Sequence, residues 1–273
     1  MVAEHEIEEF QRDGVVKLTN MFDPQWIEML GDAMDQSFAN PTVNFTRHTE
    51  APDVPGYYED FWSWQHFAGF ERFVRHSPCA PIAAQLLGAQ SINLVMDNWF
   101  VREAGSVSRP PFHHDISYFD FTGAMCVLWL PLEPVTKDNG ITFVRGSHLW
   151  DKLFLRTRFA DGHLGGDATT EVNGERYDLA PDIEADPDAY DLVQFDLDVG
   201  DCLYFDMRTL HGGLSTHTTT DTSRRYTLRM TAEDGTIRYR GDWAREERAI
   251  FEAAGYTDGD RIDGDFFPQL WPL

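Results

Sequence analysis

Phe112-His113-His114-Asp115-Ile116-Ser117-Tyr118 places an imidazole and a carboxylate two residues apart. In extended backbone, residues i and i+2 leave the same face, so His113 and Asp115 can enter one cavity together. A further imidazole, His211, stands far downstream in Phe205-Asp206-Met207-Arg208-Thr209-Leu210-His211-Gly212-Gly213, and a chain that returns on itself would bring it to the pair. Two imidazoles and one carboxylate on one face of a metal leave the other face open, an arrangement suited to non-haem Fe(II) oxygen chemistry. Alone, the triplet is weak, because 10 His and 46 acidic residues in 273 produce H-x-D by chance. The surrounding elements must decide.

Residues 4–12 and 24–38 read as helices, the second with Trp26, Ile27, Met29, Leu30, Ala33 and Met34 at near-helical spacing behind an Asp23-Pro24 start. Gly14–Leu18 between them reads as a short strand. Residues 39–70 are irregular and aromatic, with Phe45, Tyr57, Tyr58, Phe61, Trp62, Trp64 and Phe67 interleaved with Arg47, His48, Glu59 and His66. Such a stretch either packs as a long loop on the core or forms a lid over substrate. A helix follows from residue 70 to Leu87, with breaks available at Pro78 and Pro81 and a stop at Gly88.

Beyond it the pattern turns to strands: Ile92–Val101, Pro111–Ser117, Ala124–Leu132, Ile141–Val144, Leu192–Asp196, Asp201–Asp206 and Arg225–Thr231, with Lys137-Asp138-Asn139-Gly140 as a hairpin turn. Residues 153–190, rich in Asp, Gly and Pro, interrupt the series as an expected surface insertion. Many short strands flanked by helices indicate a mainly β sandwich or closed jelly roll, with the ligand site in its mouth. We expect one domain over residues 1–273: helices and aromatic segment to 90, the β core over 91–240, and a C-terminal extension over 241–273.

Composition narrows the partners. A formal charge of −24 repels nucleic acid and anionic membrane alike, so neither is an expected partner. Cys79, Cys126 and Cys202 are odd in number and lack C-x-x-C spacing, which argues against a disulfide framework or a zinc knuckle. The acidic start Met1-Val2-Ala3-Glu4-His5-Glu6 has no signal-peptide pattern, and no apolar run approaches a membrane span, so a cytoplasmic location is expected.

The order of motifs is more specific than any one of them. Trp129-Leu130-Pro131-Leu132 is followed by Asn139-Gly140, by Arg145-Gly146-Ser147-His148, and by Gly200-Asp201 before a strand that leads to His211. With His113-x-Asp115 in front, this series resembles the phytanoyl-CoA hydroxylase family of Fe(II)/2-oxoglutarate oxygenases, over roughly residues 5–240. That family carries, in this order, H-x-D, a W-x-A-L-like strand, an N-G turn, a P-G-S-H-like segment, G-D before a strand, and a distal His. The resemblance implies a cupin-like double-stranded β-helix with His113, Asp115 and His211 as iron ligands, and 2-oxoglutarate and O2 as cosubstrates. His114 then points to the opposite face, and His148 is structural.

A family member also needs a cation for the distal carboxylate of 2-oxoglutarate, and a guanidinium offers a permanent, bidentate one. The strand after the distal His provides Arg224, Arg225 and Arg229. Arg225 is favoured because Thr227 shares its face in an R-x-S/T pattern, with Arg224 the alternative, since a one-residue slip exchanges the faces. The spacing from His211 is longer than the family's. Asn98 and Trp129 match positions near the cosubstrate, Trp129 reading equally well as a plain core aromatic, and Arg102 reads first as a solvated strand-end charge and second as a further cation for the cosubstrate. The implied reaction is hydroxylation of an unactivated C–H with release of succinate and CO2. Halogenating relatives lack the carboxylate ligand, whereas Asp115 is present here. Desaturation, epoxidation, ring closure and demethylation share the same metal set. Few, scattered basic residues favour a smaller organic substrate over an acyl-CoA, a hydrophobic or cationic one stacked on residues 57–67. The rival readings are a non-catalytic jelly-roll binding protein and a cupin-like Mn or Zn enzyme.

Overall fold

The computed structural model describes residues 1–49, 53–107, 109–158, 162–163, 170–172, 174–214, 220–240 and 245–272. Helix α1 (Glu4–Asp13) ends at Gly14, whose φ of 76° lies in the left-handed region, and passes straight into strand β1 (Val15–Leu18). Helix α2 (Pro24–Ala39) starts with proline in its first turn, where the missing N–H costs nothing. Strand β2 (Tyr57–Phe61) and helices α3 (Ala68–His76) and α4 (Cys79–Leu87) complete the N-terminal part. The strands that carry the site are β3 (Ile92–Arg102), β4 (Met125–Pro131), β5 (Thr142–Val144), β6 (Leu192–Val193), β7 (Cys202–Asp206), β8 (His211–Gly212) and β9 (Ser223–Thr231). Helix α5 (Arg245–Ala253) and strand β10 (Gln269–Trp271) close the chain.

Two antiparallel sheets make the jelly roll. The larger runs β1-β7-β4-β9-β3-β2 into a two-residue strand, Thr46–Arg47, and β10 also pairs with β3. The smaller runs β6-β5-β8. Strand β9 is the central one for function, lying between β3 and β4 with Thr227 opposite Asn98 on one side and Trp129 on the other. Its side chains alternate between faces. Tyr226 stacks on Phe70 of α3 at 4.9 Å and meets Phe73 edge-on at 5.5 Å, so the helices cover that face. Arg225, Thr227 and Arg229 consequently point into the roll.

The helix-covered face also buries a carboxylic acid. Asp97 accepts a hydrogen bond from Tyr226 Oη at 2.8 Å, yet burial pushes its carboxyl up to about 7. All three cysteines are buried and unpaired, as expected of thiols used for packing.

Several expectations change once pairing is known. Pro111–Ser117 is not a strand: Pro110 and Pro111 have no N–H to donate, His113 alone forms a bridge, and Asp115–Ser117 turns as a 3-10 helix. Lys137–Asn139 is a 3-10 turn that carries the chain from the larger sheet to the smaller, so β4 and β5 are not hairpin partners. The helix expected over 70–87 is two helices, because Ser77 takes extended backbone ahead of Pro78. Part of the aromatic stretch is β2, paired with β3, and Trp62 and Trp64 are buried. Within 153–190, Phe154 and Ile183 are buried against Phe112, Val144 and Leu210, so this insertion covers the outer face of the smaller sheet.

Candidate active site

Backbone pairing brings the sequence-distant candidate ligands together. His113 N–H donates to His211 O at 2.9 Å and His211 N–H to His113 O at 2.8 Å. Gly212 allows this approach, since a Cβ there would stand 2.8 Å from both N and Cα of Phe112. His114 is extended (φ −121°, ψ 143°), which puts His113 and Asp115 on one side before the chain turns. One donor atom from each of His113, Asp115 and His211 lies within 4.8 Å of the others, and all three residues are buried.

The proton arrangement suits a cation. His113 Nδ1 sits 2.8 Å from Pro111 O and His211 Nδ1 2.9 Å from Thr209 O. A carbonyl only accepts, so each Nδ1 carries the hydrogen and each Nε2 keeps its lone pair. Those Nε2 atoms lie 3.4 and 3.6 Å from Asp115 Oδ1. Burial works against the Asp115 anion, but the Arg229 charge and the neighbouring imidazoles hold its carboxyl well below the usual range. Burial, then the nearby His113, pulls His211 down to about 4. At neutral pH Asp115 is therefore ionised and His211 neutral, as metal ligation requires. Phe143 and Phe205 flank the His211 ring, with centroids at 5.7 and 4.7 Å.

Arg225 lies on the same face of β9 as Arg229, four residues earlier. It is buried, its guanidinium carbon is 5.4 Å from the Trp129 ring centroid, and its one polar neighbour at hydrogen-bond range among the described residues is Ser223 Oγ, at 3.3 Å. Its Nε has no acceptor, and neither has Nε of the buried Arg102, whose Nη2 donates to Ser106 O at 3.1 Å. Burial and mutual repulsion lower the Arg102 pKa, while burial dominates at Arg225. Arg224 takes the opposite face, where it pairs with Glu133 at 2.7 Å and Asp35 at 3.3 Å. Thr227 Oγ1 hydrogen-bonds Asn98 Oδ1, and the Asn98 amide nitrogen is buried without an acceptor.

The other histidines stay outside the cluster. His114 turns away, accepts from Phe154 N–H at 3.0 Å and bonds Ser117; burial lowers it to about 3. His148 Nε2 meets Gln11 O at 3.1 Å. Arg229, only one of three candidates by sequence, contacts Asp115 directly, with Nη2 at 2.7 Å from Oδ2. Its two-residue phase with Arg225 and Thr227 was the available signal. Tyr118 was also missed: its ring meets that of His113 at 5.0 Å, and the Arg156 guanidinium lies 5.1 Å from its centroid.

A jelly roll with this ligand set defines a non-haem iron oxygenase by fold and chemistry. The profile described as phytanoyl-CoA dioxygenase (PhyH) matches residues 10–226, and the chain belongs to that family of Fe(II)/2-oxoglutarate-dependent oxygenases. No curated protein sequence matches it. Among solved structures, it is similar to the non-haem α-ketoglutarate-dependent carbocyclase SnoK from nogalamycin biosynthesis, at 17% identity and TM-score 0.73, covering 98% of this chain and 96% of that one. The epimerase SnoN, in complex with Fe3+, α-ketoglutarate and nogalamycin RO, is 20% identical with TM-score 0.73 and 98% coverage of each chain. EctD from S. alaskensis, with 2-oxoglutarate and 5-hydroxyectoine, is 16% identical with TM-score 0.65, covering 86% of this chain and 78% of that one. Among the described residues, no helix is long and apolar enough to cross a membrane.

Proposed function

We propose that this enzyme hydroxylates an unactivated C–H of a small organic molecule, with Fe(II) held by His113, Asp115 and His211. The chemistry supplied by iron with 2-oxoglutarate and O2 is oxidative decarboxylation to succinate and CO2, coupled to oxidation of that C–H. Arg225 receives the distal carboxylate of 2-oxoglutarate, Thr227 and the Asn98 amide line the same face, and Trp129 backs the guanidinium. The observation that carries this assignment is a buried guanidinium with no carboxylate partner among the described residues, on the strand face from which Arg229 reaches Asp115. A buried cation without a counter-ion is costly unless an anionic ligand completes it. The Phe143 and Phe205 rings exclude water from the His211 side.

Tyr118 borders His113 and carries Arg156 over its ring, which favours a substrate with a flat or polar group laid beside the Tyr118 ring. The residues at 57–61 are engaged in the sheet and are no longer the expected stacking platform. With 22 basic against 46 acidic residues, an acyl-CoA with its phosphates remains disfavoured. A second reading, oxidation without hydroxylation, draws on SnoK and SnoN, a carbocyclase and an epimerase that share this fold over 98% of the chain.

The deciding experiment is anaerobic titration with Fe(II) and then 2-oxoglutarate, followed in the visible range for the charge-transfer band of the chelate. The band is expected, with a lower 2-oxoglutarate affinity in Arg225→Leu. Folded protein that binds neither component would refute the assignment in favour of a binding protein. Product mass then separates the two outcomes: a gained oxygen atom with no double bond consumed means hydroxylation, and lost hydrogens or unchanged mass mean the second reading.

A further inference from the structure

We infer that Arg229 is a positioning residue that holds Asp115 as a one-oxygen ligand, and that Asn98 braces Arg229 in turn. The inference rests on the ligand set proposed above. Both guanidinium donors that reach Asp115 converge on a single atom: Nε at 2.9 Å and Nη2 at 2.7 Å from Oδ2. Oδ1 is left to face the two imidazole Nε2 atoms at 3.4 and 3.6 Å. The carboxylate thus has one oxygen committed to protein and one presented to the metal position. Were Oδ2 released, rotation about the carboxylate could offer both oxygens and occupy a position that cosubstrate or O2 needs.

Arg229 is itself held on three sides. Nη1 donates to Asn98 Oδ1 at 2.7 Å, the same oxygen that Thr227 engages, and the guanidinium lies over the Phe119 ring at 4.8 Å. The side chain is buried, so water cannot substitute for any of these contacts. Two donors on the Asn98 oxygen also set the orientation of its amide, whose nitrogen is buried without an acceptor. Thr227, Asn98 and Arg229 thus form one hydrogen-bonded chain that ends on Asp115, on the face of β9 that also carries Arg225.

The test compares Arg229→Lys, Asn98→Ala and Arg225→Lys with wild type. Fold is checked by circular dichroism and melting, Fe(II) affinity by anaerobic calorimetry, and coordination by the visible spectrum of the Co(II)-loaded protein. Arg229→Lys keeps the charge but loses the two-donor grip; it is expected to lose roughly 10–100-fold in Fe(II) affinity and to alter the Co(II) spectrum. Asn98→Ala leaves the ion pair intact and is expected to show a smaller loss in the same direction. Arg225→Lys is expected to retain both metal readouts and lose only 2-oxoglutarate affinity. Folded Arg229→Lys with wild-type Fe(II) affinity and Co(II) spectrum would overturn the inference, leaving a merely structural ion pair. If Arg229→Lys does not fold, Asn98→Ala decides alone, a wild-type result there being equally fatal. Wild-type protein that binds no Fe(II) would instead overturn the ligand set, before any variant is compared.

Discussion

Replacing Arg225 with leucine should make the enzyme more stable without cosubstrate and far worse at using it. The guanidinium is buried, its Nε lacks an acceptor, and Arg102 stands close enough for the two cations to repel. Leucine removes that buried charge and its repulsion, at the expense of the contact with Trp129, worth about 0.5–2 kcal/mol. Desolvation of an unpaired ion costs several kcal/mol, so the apo-protein should melt higher. Binding moves the other way. Losing one partner of a buried, hydrogen-bonded charge pair costs about 2–5 kcal/mol, and each 1.4 kcal/mol is tenfold, so the KM for 2-oxoglutarate should rise by roughly 30-fold to a few thousand-fold. Arg224→Leu is the matched control: it breaks half-exposed pairs with Glu133 and Asp35, worth under about 1 kcal/mol, and should leave KM unchanged. Succinate release at varied 2-oxoglutarate and a melting curve of each apo-protein suffice. A KM that rises in Arg224→Leu and not in Arg225→Leu would refute the reasoning.

Three further outcomes are expected. Asp115→Asn should abolish ferrous-dependent turnover while keeping an oxygen for Arg229, whereas Asp115→Ala should also lose about 3–5 kcal/mol by leaving that guanidinium unpaired; turnover retained in either would exclude the ligand role. Gly212→Ala forces a Cβ against Phe112 backbone and should separate the His113–His211 bridge, weakening Fe(II) binding and costing about 1–3 kcal/mol, read by calorimetry and melting. Asp97 keeps its proton to about 7 when folded but loses it in the ordinary carboxylate range when unfolded. The folded state thus holds the extra proton between those values, and stability should fall as pH rises through that window. Denaturant titrations of Asp97→Asn should show a flatter pH dependence there, and an unchanged slope would exclude Asp97 as its source.

Much of the site was legible before folding because its information is local. The His113-x-Asp115 spacing needs only one extended residue between, and His114 is extended. The two-residue period of β9 put Arg225 and Thr227 on one face, and the order of motifs implied the jelly roll. Strands β3, β4 and β9 were recognisable because they are long and apolar on the helix-covered side, where burial dominates local preference.

What the sequence could not supply is the identity of partners far along the chain. A one-residue slip separates Arg224 from Arg225, and only pairing of β9 with both β3 and β4 shows which guanidinium enters the roll. His113 pairs with a single residue, so its segment has no strand period to detect, and β2 is a strand only because β3 offers it an edge. Arg229 carried the same local signature as Arg225. Its attachment to Asp115 arises where the turn after His114 meets β9, a contact between residues 114 positions apart. Residue type and spacing determined which groups could do chemistry here; tertiary pairing decided which of them face one another, because hydrogen-bond register and burial are properties of two segments at once.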